Sequence, residues 1–100
     1  MDFKSKAALI TGGSKGIGYG VAEALIKLGM NVAITSRSKE AAEKAATKLS
    51  KTGSGEALGL EADVRDYESQ QRAVKKVMDT WGQLDVLVAN AGVGHFGSIE

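Results

Sequence analysis

Thr11-Gly12-Gly13-Ser14-Lys15-Gly16-Ile17-Gly18 is the stretch on which the fold turns. The residues before it, Ala7-Ala8-Leu9-Ile10, form an apolar run of strand length, as in a parallel strand covered on both faces. After it, Ile17, Val21, Ala24, Leu25 and Leu28 recur at three- and four-residue spacing. That spacing predicts a helix from Gly16 with those side chains as its buried stripe, closed by Gly29 in the left-handed conformation. A glycine-rich loop between a strand and a helix has a chemical consequence. The helix N-terminus presents unpaired N–H groups and the positive end of the helix dipole, so an anion belongs there. In this reading Gly12 makes the tight exit from the strand, Gly16 lets backbone approach a pyrophosphate, and Gly18 allows helix and strand to pack closely. The general dinucleotide spacing G-x-G-x-x-G is not met, because Val21 stands where the third glycine belongs. The longer pattern T-G-x-x-x-G-x-G carries the reading instead.

Outward from the loop, apolar runs alternate with amphipathic stretches. Asn31 to Ser36 reads as a second strand, and Glu40 to Ser50 as a second helix with Ala42, Ala45, Ala46 and Leu49 on its inner face. A turn over 51–55 leads to a weaker third strand, Ala57 to Ala62. Asp66 is placed to cap a third helix, with Glu68 in its first turn and Val74, Val77, Met78 and Trp81 as its stripe. Trp81 is thereby expected in the core. Leu84 to Ala89 is the clearest strand, through Val86-Leu87-Val88. Strands alternating with helices imply an α/β fold around a parallel sheet. Right-handed crossovers give a doubly wound, Rossmann-type sheet in the order 3-2-1-4, with four strands and three helices. Residues 1–100 are expected to be the N-terminal part of one dinucleotide-binding domain whose C-terminal half is missing, leaving the edge beyond the fourth strand uncovered.

Composition narrows the function classes. Thirteen Lys and Arg stand against twelve Asp and Glu without a basic block, so neither a nucleic-acid nor a membrane surface is indicated. There is no Cys, which removes disulfides and thiolate metal sites, and no metal site is expected. The apolar run near the N-terminus is too short for a signal or membrane segment. The chain is expected to be soluble and cytoplasmic. His95, the single histidine, lies between glycines near Phe96 without a partner and reads as a surface or pocket-rim residue.

Together with Asp63-Val64 after the third strand and Asn90-Ala91-Gly92 after the fourth, the glycine pattern resembles the short-chain dehydrogenase/reductase family from about Lys6 to Gly92. The resemblance implies that Gly12, Ser14, Gly16, Ile17 and Gly18 hold the pyrophosphate and ribose. It implies that Asp63 and Val64 meet the adenine, a role that competes with a plain turn at Asp63. Asn90, Ala91 and Gly92 would line the ribose and brace the sheet. The family often shows Asn-Asn-Ala-Gly, and here Ala89 takes the first place. Its members transfer hydride between a nicotinamide and a carbonyl or alcohol, using a Tyr-x-x-x-Lys pair, a Ser and often an Asn, and are commonly dimers or tetramers. Four residues after Tyr19 stands Glu23 and four after Tyr67 stands Gln71, so no catalytic residue is assigned within the chain. By this resemblance the catalytic half lies beyond Glu100; the alternative is a truncated, non-catalytic dinucleotide-binding module.

Charge bears on the choice of cofactor. NAD sites place an acid about 20 residues beyond the first glycines, where it accepts from the ribose hydroxyls. Here the second strand ends Thr35-Ser36-Arg37-Ser38, and an Arg between hydroxyls suits the extra 2'-phosphate of NADP(H). Lys15 resembles the second basic residue of NADP-using members. The expectation is an NADP(H)-dependent oxidoreductase acting on a small-molecule carbonyl or alcohol.

Overall fold

A computed structural model describes residues 3–89. Its elements run β1 (Ala7–Thr11), α1 (Gly16–Lys27), β2 (Asn31–Ser36), α2 (Lys39–Leu49), β3 (Ala57–Glu61), α3 (Tyr67–Trp81) and β4 (Val86–Ala89). The four strands form one parallel sheet in the order β3-β2-β1-β4. This is the doubly wound order expected, and the reversal of winding direction falls between β1 and β4.

The sheet has two covered faces because strand side chains alternate. Ala8 and Ile10 of β1 join Val32 and Ile34 of β2 beneath α1 and α2, with Ala22, Ile26, Ala45 and Leu49 supplied by the helices. Ala7 and Leu9 point the other way, into a second cluster with Ala33, Ala62, Ala73 and Val77 under α3. A fully buried Leu, Ile or Val contributes roughly 1.5–3 kcal/mol. The burial of β1 on both faces is therefore what centres the fold on the loop that follows it.

The sides that the helices present differ in part from the stripes expected. In α1 the buried residues are Gly18, Ala22 and Ile26, with Val21 and Leu25 at their flank, while Ile17 is 79% and Leu28 51% exposed and Ala24 is also exposed. The apolar spacing of α1 is compatible with more than one face, since Gly18 and Ala22 bring the helix backbone against the sheet and leave the longer Ile17 and Leu28 outside. Gly29 does close the helix with φ 93°. In α2 the expected four residues are the buried ones, and the helix begins at Lys39, one residue earlier than expected. In α3 Val77 is buried together with Ala73 and Ser69, whereas Met78 is 43% exposed. Trp81 is half-buried against the second cluster and donates its Nε1–H to Glu56 Oε1 at 2.9 Å, so it is a core-edge residue with a polar partner and not a fully enclosed one.

Asp66 caps α3 as expected, its Oδ1 accepting from the N–H groups of Glu68 and Ser69 at 3.1 and 3.3 Å. The strand β4 begins at Val86, not Leu84. Asp85 fastens its entry: Ala7 N–H donates to Asp85 Oδ2, and Asp85 N–H donates to Ala7 O, both at 2.8 Å. Leu84 packs sideways into the α3 cluster. Val86 and Leu87 are 38% and 58% exposed among the described residues. No helix of the described residues is long and apolar enough to cross a membrane.

Candidate functional site

The site is built at the C-terminal ends of the strands. Strand β1 ends at Thr11, and Gly12 turns the chain with φ 71°, a left-handed value that favours glycine. Two hydrogen bonds anchor this turn to β2: Gly12 N–H donates to Thr35 Oγ1 at 3.2 Å, and Gly13 N–H donates to Thr35 O at 3.1 Å. Thr35 is 1% exposed, so its hydroxyl is a built-in partner for the loop. Gly13 is pressed onto the sheet, and a Cβ there would meet Ile34 Cγ2 at 2.6 Å. These two residues were not singled out from sequence as site residues. Thr35 was visible only as a flank of Arg37, and the contact that gives it a role joins strands 23 residues apart.

Gly16 is left-handed too, with φ 68°, and a Cβ built on it meets nothing within 4 Å. Its glycine is required by backbone conformation, and the space above it is open. The helix α1 starts here with no side-chain cap and no acid in its first turn. The positive end of the helix therefore has neither a side-chain cap nor a carboxylate, unlike α2, capped by Ser38 with Glu40 in its first turn, and α3, capped by Asp66 with Glu68 in its first turn. Ile17 is exposed at the mouth of this corner, Ser14 is half-buried, and Gly18 is buried on the inner side of the helix. An uncapped helix N-terminus of this kind matches a pyrophosphate in sign.

Lys15 and Arg37 issue from the same corner, because Thr35 ties the glycine loop to the end of β2. Both are exposed, and neither forms an ion pair or side-chain hydrogen bond with the described residues. The serines on either side of Arg37 are engaged locally. Ser36 Oγ accepts from Ser38 N–H at 3.2 Å, and Ser38 Oγ caps α2 by accepting from Ala41 N–H at 3.2 Å. Each hydroxyl keeps its own O–H to donate.

The end of β3 supplies the next wall. Asp63 N–H donates to Ser69 Oγ at 3.0 Å, and Val64 O accepts from Gln70 Nε2 at 2.8 Å, so the start of α3 holds this turn. The Asp63 carboxylate is held by Arg65: Oδ1 accepts from the Arg65 backbone N–H at 2.9 Å and from Nε at 3.2 Å, and Oδ2 accepts from Nη2 at 3.1 Å. The guanidinium bonds, then the backbone bond and, more weakly, the field of Arg37 keep Asp63 ionised below the ordinary aspartate range. Asp63 is thus a turn former, its Oδ1 accepting from the N–H two residues on, and its carboxylate lies at the strand ends. Arg65 carried no assignment from sequence; an Arg two residues beyond an Asp has no signal until the turn folds it back.

The structure thus brings Gly12, Ser14, Lys15, Gly16, Ile17 and Gly18 together with Ser36, Arg37 and Ser38, and sets Asp63 and Val64 beside the latter group. Asn90, Ala91 and Gly92, and His95 with them, lie outside the described residues. Beneath β1, β4 and α3 opens a cavity of about 440 Å³ lined by Leu9, Thr11, Tyr67, Gln70, Val74 and Leu87, among others. Its lining is mostly apolar and it holds none of the residues of the glycine loop beyond Thr11.

Comparison with known proteins meets this geometry. The family model described as short chain dehydrogenase matches residues 6–100. "Oxidoreductase UcpA" of Salmonella typhimurium is 43% identical over 93 residues, covering 93% of this chain and 35% of its own length. The solved RhlG/NADP active-site complex of Pseudomonas aeruginosa superposes with a TM-score of 0.80 at 36% identity, over 92% of this chain and 36% of that one. A 3-ketoacyl-(acyl-carrier-protein) reductase of Brucella melitensis complexed with NADH gives a TM-score of 0.81 at 36% identity, over 93% and 37%. The chain spans about a third of the length of the relatives it matches.

Proposed function

The chain belongs to the short-chain dehydrogenase family, and from that premise we propose that it forms the cofactor-binding part of an NADP(H)-dependent oxidoreductase. One observation carries the choice of cofactor: the end of β2 presents Arg37 where an NAD site needs an acid, beside a glycine loop that adds Lys15. Similar solved structures hold NADP in one case and NADH in another, so fold alone does not discriminate. Charge does. A 2'-phosphate wants charged donors, and the two cations that issue from this corner form no ion pair or side-chain hydrogen bond among the described residues.

When bound, the nicotinamide cofactor supplies hydride exchange with a small carbonyl or alcohol. What this chain's residues contribute is binding and orientation. Gly12, Ser14, Gly16, Ile17 and Gly18, at the N-terminus of α1, hold the pyrophosphate and ribose; Lys15, Ser36, Arg37 and Ser38 hold the 2'-phosphate. Asp63 and Val64 meet the adenine, and Asn90, Ala91 and Gly92 complete the ribose side. In this proposal no residue of the chain is assigned proton transfer to the substrate, since neither Tyr19 nor Tyr67 has a lysine four residues on. The whole protein is then a cytoplasmic homo-oligomer.

NADPH is expected to bind at least tenfold more tightly than NADH. A hydrogen bond to a charged group contributes roughly 1.5–3 kcal/mol, and about 1.4 kcal/mol corresponds to tenfold in affinity. Titration of both cofactors decides it, and equal dissociation constants would sink the assignment. The same absence of a tyrosine–lysine pair favours a second reading, a non-catalytic dinucleotide-binding module. An intact mass of the natural protein far above 10.4 kDa is expected. A mass equal to it would favour the module.

A further inference from the structure

Arg37 and Asp63 follow the ends of neighbouring strands, one residue out of step. Ser36 pairs in register with Glu61, and Ala62 N–H donates to Ser36 O at 2.9 Å, so Arg37, just past the end of β2, follows level with Ala62, one residue before Asp63 in the turn beyond β3. This places a carboxylate next to the cation assigned to the 2'-phosphate. Left alone, such a carboxylate acts against the assignment in two ways: it draws the guanidinium into an ion pair, and it repels a phosphate carrying close to two negative charges. Both of its oxygens, however, are taken by one residue.

We infer that Arg65 is a positioning residue for cofactor selection: by clamping Asp63 through three hydrogen bonds it neutralises the carboxylate beside Arg37 and leaves Arg37 available to a 2'-phosphate. The inference rests on the NADP(H) reading above. The fork geometry supports it, since Nε and Nη2 reach the two different oxygens at 3.2 and 3.1 Å while the Arg65 backbone N–H reaches Oδ1 at 2.9 Å. A planar guanidinium makes this arrangement, and a lysine ammonium does not. The field of Arg37 is felt at Asp63, so the coupling that Arg65 offsets is present in the fold. Arg65 is 73% exposed in its side chain, so it adds little to the stability of the protein and its effect is confined to its neighbours.

The experiment measures dissociation constants for NADPH and NADH on the natural full-length protein and on Arg65→Ala, Asp63→Asn and the double variant, at low and high salt. Because Asp63 faces the adenine common to both cofactors, the readout is the ratio of the two constants, in which that contact cancels. Arg65→Ala is expected to reduce the preference for NADPH about threefold to tenfold at low salt, the range for a partly exposed charge seen through solvent. The effect should shrink at high salt. Asp63→Asn in the Arg65→Ala background should restore the parent ratio, since it removes the charge that Arg65 masks. A merely structural Arg65 predicts a lowered melting temperature with an unchanged ratio, and that result overturns the inference. So does a double variant whose ratio stays as low as that of Arg65→Ala, because Arg65 then acts on the phosphate directly. A parent protein with no preference for NADPH overturns the NADP(H) reading and this inference with it. A parental preference left untouched by Arg65→Ala overturns the inference alone.

Discussion

Arg37→Asp is expected to weaken NADPH binding about a hundredfold while leaving NADH within a few-fold of its parent affinity, which reverses the preference. The variant removes a charged donor to the phosphate, roughly 1.5–3 kcal/mol, and puts a negative charge in its place. Each 1.4 kcal/mol or so is tenfold in affinity, so the loss and the repulsion together reach two decades. For NADH the change works the other way, because an acid at the end of β2 can accept from the ribose hydroxyls. Folding should be spared: Arg37 is exposed and makes no side-chain hydrogen bond with the described residues. The new carboxylate would face an Asp63 already clamped by Arg65. Fluorescence titration of each cofactor into the variant is the measurement. A proportional loss of both would show that Arg37 supports the shape of the loop and does not read the phosphate.

A large effect on stability is expected from a residue remote from any ligand. Gly59 lies in β3 directly under α2, and a Cβ there would stand 2.4 Å from Ala42 O and 2.6 Å from Ala42 C. Both are helix backbone atoms, which cannot rotate aside. The helix can come this close because Ala42, Ala45 and Ala46 make up most of its buried face. Gly59→Val should therefore lift α2 off the sheet and cost at least about 3 kcal/mol, the upper end for overpacking. That is a large part of the roughly 5–15 kcal/mol that holds a domain folded. Intrinsic preference points the opposite way, since valine favours strands and stiffens the unfolded chain. Gly82→Ala is the natural comparison. Gly82 ends α3 with φ 75° and nothing within 4 Å of an added Cβ, so only backbone strain of about 1–2 kcal/mol is expected there. Urea denaturation of the natural protein and both variants ranks the two losses. If Gly59→Val costs no more than Gly82→Ala, the close approach of α2 to β3 is not what Gly59 serves.

Both residues show where reading along the chain runs out. Arg37 was legible because its meaning depends on one offset: the distance from the glycine loop to the end of the second strand, with a cation where an acid is needed. Gly59 carried no signal, because its reason is a backbone oxygen 17 positions away in sequence. The same division separates Gly12 and Gly16, whose left-handed φ follows from a strand-to-helix turn, from Gly13, whose reason is the side chain of Ile34. The stripe of α1 divides on similar grounds, with Val21 and Leu25 packed against the core and Ile17, Ala24 and Leu28 outside it. Spacing proposes a face from residue size, but the sheet selected the face with Gly18 and Ala22, where backbone can approach, and left Ile17 and Leu28 outside.

By itself, then, the sequence determined the alternation of four strands and three helices, their parallel order, the glycine loop at the N-terminus of α1 and the cation at the end of β2. Each of these depends on local periodicity, on turn chemistry or on a short fixed offset, which a linear chain carries openly. Only the tertiary structure decided which side of α1 is buried, that Thr35 anchors the loop, and that Asp63 is clamped by Arg65 next to Arg37. The first two depend on which strands become neighbours. The last depends on the direction in which a turn returns a side chain. Both are properties of the folded register, in which Ser36 meets Glu61 and the ends of β2 and β3 come level, and no spacing along the chain encodes them.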